Sequence, residues 1–133
     1  MDICCCARPI REETPQNKRT PAGELQPIQS MKRLMTPHMM NTYLHPQTLP
    51  CARKVAEKTM AAQTDGKFDR MMEQARLLCA ENGIVLCDAY AHWKAMYRSG
   101  LDTTELLVNR INHPRAEMHD VFAQMLTDII ENI

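Results

Sequence analysis

Residues 82–88 read Asn82-Gly83-Ile84-Val85-Leu86-Cys87-Asp88, and this stretch decides the fold. Ile84 to Cys87 is a continuous apolar run without alternation, the pattern of a parallel strand buried on both faces. Gly83 supplies the left-handed residue that commonly follows a helix C-terminus. Upstream, Phe68, Met71, Met72, Ala75, Leu78 and Cys79 keep i, i+3, i+4, i+7 spacing, while Asp69, Arg70, Glu73, Gln74 and Arg76 fill the other side. That pattern predicts a helix with one buried stripe. Helix, glycine turn and buried strand form half of a βαβ unit. Residues 31–35 (Met-Lys-Arg-Leu-Met), stopped by Thr36-Pro37, supply the preceding strand. The expected fold class is α/β with a short parallel sheet. Asp88 follows the strand directly, where open parallel sheets carry functional groups. It equally suits the cap of the next helix.

Outward from this unit, residues 51–63 read as a helix stopped by Asp65-Gly66, and residues 89–98 as another, with Trp93 in the core. Asp102-Thr103-Thr104-Glu105 has the capping-box pattern and predicts a short helix through Leu106 and Leu107. The chain then enters Asn109-Arg110-Ile111-Asn112-His113-Pro114. Proline suits the first helical position, because the N–H it lacks would have had no partner there. That would put His113 at the mouth of a helix whose apolar positions are Met118, Val121, Phe122, Met125, Leu126, Ile129 and Ile130. A histidine there is either a general base or a cap.

Composition narrows the function classes. The 133 residues make one domain at most. Lys+Arg and Asp+Glu both number 16, so no net field attracts nucleic acid or an acidic membrane, and aromatics at 5% argue against a base-stacking platform. No apolar run near the N-terminus is long enough for a signal peptide or a membrane span. The 6 cysteines include the adjacent Cys4, Cys5 and Cys6, which lack the spacing that wraps zinc, and Gly is absent at position 2 for myristoylation. Free, mostly buried thiols and a cytoplasmic setting are expected. His38 and His45 have no Cys or carboxylate at ligand spacing and read as loop histidines, so neither metal nor cofactor is expected. Residues 1–30 show little apolar periodicity and read as a disordered or loosely ordered tail before a domain over 31–133. Pro9, Pro15, Pro21 and Pro27 recur every six residues there, but the residues between them are not alike.

Asn112-His113-Pro114 with His119, reached through the helix, strand and Asp88, resembles the closing block of the SGNH, or GDSL-type, hydrolases. That block reads Asp-x-x-His-Pro, often with a second histidine six places after the first. The resemblance covers roughly residues 31–133. It implies part of a three-layer α/β/α sandwich, hydrolysis of acyl or acetyl esters (carbohydrate esters included), and His113 as the base that takes a proton from a serine nucleophile. Two positions depart from the pattern. Arg110 stands where the family has aspartate, leaving Asn109 and Asn112 as candidate orienters of the ring and Asp88 or Asp102 as candidate acids. The serine block is missing: the only serines, Ser30 and Ser99, lie outside any Gly-Asp-Ser context. The expectation is therefore the C-terminal portion of such a hydrolase, truncated and with little activity of its own, prone to self-association through an exposed sheet edge. The competing expectation is a non-catalytic interaction module that packs through Met-rich helix faces.

Overall fold

The computed structural model describes residues 32–132. The tail proposed for residues 1–30, with Cys4–Cys6 and Ser30, lies outside the described residues.

The described chain is a mixed α/β unit in the order β1 (Arg33–Met35), a 3-10 turn (Pro50–Ala52), α1 (Arg53–Thr64), α2 (Lys67–Glu81), β2 (Val85–Cys87), α3 (Ala89–Arg98) and α4 (Ala116–Glu131). The strands pair in parallel, with Arg33 opposite Val85 and Met35 opposite Cys87. Two helices lie between them in sequence, as a parallel crossover requires. Thr36 N–H extends the ladder by donating to Cys87 O at 3.0 Å.

Local chemistry explains the boundaries. Pro50 opens the 3-10 turn, where its missing N–H costs nothing. Gly66 (φ 80°) separates α1 from α2, and Gly83 (φ 61°) takes the left-handed position after α2. Asp88 caps α3, its Oδ1 accepting from Ala91 N–H at 2.9 Å.

The core gathers Met39, Met72, Ala89, Tyr90, Trp93, Leu107, Met118 and Phe122. Trp93 is wholly enclosed, and α3 lays Trp93 against Phe122 of α4 with ring centroids 5.8 Å apart. A stacked pair of this kind adds about 0.5–1.5 kcal/mol beyond the area it buries.

Four expectations need correction. The strand at residues 84–87 is not buried on both faces: Val85 and Leu86 are half-buried, only Cys87 is enclosed, and all of β1 is exposed. Among the described residues the sheet has two strands, which offer few neighbours to cover its surfaces. The stripe of α2 is narrower than its spacing suggested, because Met72 and Cys79 are buried whereas Met71 and Leu78 face solvent. The residues after Asp102 form consecutive turns rather than a helix. Asp102 Oδ1 does accept from Thr104 and Glu105 N–H, but the Glu105 carboxylate binds His45, Arg110 and Arg115 instead of closing a capping box. Finally, Pro114 is not the first helical residue. It forms an antiparallel bridge with Leu107, and α4 begins at Ala116 after an extended Arg115. His113 thus belongs to a loop, not to a helix mouth.

Candidate functional site: the Leu107–Pro114 loop

The loop that carries His113 is closed at its base. Val108 N–H donates to His113 O at 2.7 Å, and Arg115 N–H donates to Leu106 O at 2.9 Å. Leu107 and Ile111 are buried and anchor it to the body. Arg110 takes the left-handed conformation (φ 60°), which turns the backbone sharply between these anchors. Its guanidinium is directed elsewhere, donating to the carbonyls of Glu105 and Leu107 and pairing with the Glu105 carboxylate at 3.0 Å.

Asn109 organises the loop. Its Oδ1 accepts from the N–H groups of Ile111, Asn112 and His113 at 3.0, 2.9 and 3.0 Å. Three donors on one oxygen fix the orientation of that amide, so its NH2 must be the end that faces Asn112 Oδ1 at 2.8 Å. Asn112 therefore presents an oxygen, not an NH2, to His113 Nδ1, 2.6 Å away. Asn109 Nδ2 also approaches Nδ1, at 3.2 Å, but the Asn112 oxygen at 2.6 Å is the closer partner and favours the proton on Nδ1. The neutral ring then carries its lone pair on Nε2, which has no hydrogen bond among the described residues and belongs to an exposed side chain. The arrangement is chemically suited to taking a proton from a hydroxyl brought to Nε2. The amide orients the ring but brings no negative charge to stabilise an imidazolium.

The other sequence candidates are held by different partners. The Asp88 carboxylate, at the C-terminal end of β2, accepts from Arg76 Nε at 2.6 Å, from the Thr36 hydroxyl and from Ala91 N–H. Burial pushes that carboxyl up, and the Arg76 guanidinium, helped by the Ala91 and Thr36 donors, outweighs it and holds the carboxyl below its ordinary range. Asp102 receives the Tyr43 hydroxyl at 2.8 Å besides capping its own turn. Neither aspartate hydrogen-bonds to His113 among the described residues. Ser99 ends α3, and its hydroxyl donates to Met96 O at 2.7 Å.

One neighbour was not anticipated. His38, half-buried after β1, makes a 2.9 Å hydrogen bond from Nε2 to Asn112 O. Its ring lies 5.0 Å from Trp93 and 6.2 Å from Phe122. His119 sets its ring nearly perpendicular to the same Phe122, with centroids 6.2 Å apart. Burial lowers the His38 pKa; the Asn112 carbonyl opposes this, and the neighbouring His113 and His119 add to the lowering. This contact spans 74 positions in sequence, so no local pattern could have announced it. His45, the other loop histidine, meets Glu105 at 2.6 Å.

Among the described residues, no group of three or more His, Cys, Asp or Glu could hold a metal ion. No helix among them is long and apolar enough to cross a membrane. Comparison with protein-family models, with curated proteins and with solved structures gave no match for this chain.

Proposed function

We propose that this chain carries the histidine part of an SGNH-type site for hydrolysis of acyl or acetyl esters, within a partial α/β/α sandwich of that family. His113 is the base, and Asn109 and Asn112 orient it. The observation that supports this reading is the Asn109–Asn112–His113 relay, in which the Asn112 oxygen is the nearest partner of His113 Nδ1 and the exposed Nε2 is left open. The serine nucleophile and oxyanion donors would come from a separate polypeptide segment, because this sequence has no serine in a Gly-Asp-Ser context.

The test mixes the full chain with a serine-block segment from a hydrolase of that type and applies a serine-reactive phosphonate probe. Labelling of the segment should rise with the wild-type chain and return to background with His113→Ala. Equal labelling with the variant, or none with the wild type, would refute the proposal.

A second reading, a non-catalytic interaction module, has a specific observation in its favour. Met71, Leu77 and Leu78 on α2 are about half exposed, at 50%, 48% and 57%. Such side chains in one helix can form the apolar centre of a contact. Concentration-dependent self-association that disappears on Met71→Glu/Leu78→Glu, with no complementation of the serine segment, would favour this reading.

A further inference from the structure

His38 enters the loop that carries His113 from the opposite side of the molecule's sequence. It stands three residues beyond β1, on the stretch whose Asn41 N–H donates to Ile111 O at 2.9 Å. Two consecutive carbonyls of the His113 loop, those of Ile111 and Asn112, are therefore clamped by the 38–41 segment. The Asn112 N–H is clamped as well, by Asn109 Oδ1 at 2.9 Å. With its N–H and C=O both fixed, Asn112 has its φ and ψ fixed, and backbone dihedrals limit the rotamers a side chain can take. The Asn112 rotamer is what brings Oδ1 to within 2.6 Å of His113 Nδ1.

We propose that His38 is a positioning residue for His113, holding the Asn112 peptide so that its side-chain oxygen selects Nε2 as the basic nitrogen. The proposal rests on the reading of His113 as a base. It explains why an uncharged donor stands here rather than a cationic one. The bond to Asn112 O places the proton of His38 on Nε2, and the ring, tilted 43° to Trp93 and stacked at 29° on Phe122, is held in direction by both. Lys or Arg would reach the same carbonyl, but a fixed positive charge beside His113 would oppose its protonation. The burial that lowers the His38 pKa disfavours such a charge.

The test is long-range 1H–15N NMR of the histidine rings in the full chain, above the ordinary histidine titration range. His113 should be protonated on Nδ1 and His38 on Nε2 in the wild type. His38→Gln keeps an N–H donor for Asn112 O and should preserve the His113 tautomer. His38→Phe keeps the ring stack without the donor. It should lower the ratio of Nδ1–H to Nε2–H at His113 about fivefold, the loss expected of one net hydrogen bond of about 1 kcal/mol. An unchanged ratio in a folded His38→Phe protein would overturn the positioning role while leaving His113 as the base. His113 protonated on Nε2 in the wild type would overturn the reading of the base itself. If His38→Phe does not fold, the wild-type His38 decides, since a proton on its Nδ1 excludes the bond to Asn112 O and with it the proposal.

Discussion

Two asparagine oxygens, those of Asn109 and Asn112, and one imidazole nitrogen set the chemistry of this surface. A carboxylate in the place of Asn112 would orient the ring and also stabilise its protonated form; the amide does only the first. His38 adds a pH signature of its own. Burial, reinforced by His113 and His119, lowers its pKa below the ordinary 6.5, so the unfolded chain binds the proton first as pH falls. The stability held by neutral His38 is complete above that value and is lost as pH drops toward the folded pKa. Urea midpoints measured from neutral to mildly acidic pH should therefore fall, and His38→Phe should flatten that slope. A slope unchanged by the substitution would show that His38 titrates alike in both states.

The elements rest on a few chemically defined ends. Gly83 follows α2 at φ 61° with open space where a Cβ would sit, so Gly83→Ala should cost only the left-handed backbone strain, about 1 kcal/mol. Asp88→Ala removes an N-cap and the partner of Arg76 together, and should cost more, about 2 kcal/mol. Thermal melts by circular dichroism compare the two, and a reversed order would contradict this account of the β2–α3 junction. These two residues were legible in sequence because their roles are local: a glycine after a periodic helix and an aspartate before the next one. The start of α4 was misplaced by the same local reasoning. Pro114 suits a first helical turn, but the bridge to Leu107 and the bond from Arg115 N–H to Leu106 O hold it extended. Tertiary pairing overrode the local preference.

At the scale of the whole molecule, the α/β class and the parallel pairing of β1 with β2 followed from the apolar run at residues 84–87 and the helix before it. How well the sheet would be covered did not, because burial depends on how many neighbours a strand finds. The candidate site was half legible. His113, Asn109 and Asn112 are close in sequence, whereas His38 reaches them only through the fold. The same contrast divides the apolar residues. Trp93→Ala empties an enclosed position and should cost about 3–5 kcal/mol. Met71→Glu and Leu78→Glu, on the exposed side of α2, should each change stability by about 0.5 kcal/mol or less. Denaturant titration separates these outcomes, and a large loss from either glutamate would mean that this face is covered in the folded protein.

If the asparagine relay makes Nε2 the basic nitrogen of His113, the tautomer of that ring reveals it. Long-range 1H–15N NMR of the wild-type chain should find the proton on Nδ1, and Asn112→Ala should move much of it to Nε2. A wild-type His113 that already carries its proton on Nε2 would mean that the asparagines do not set its basic nitrogen.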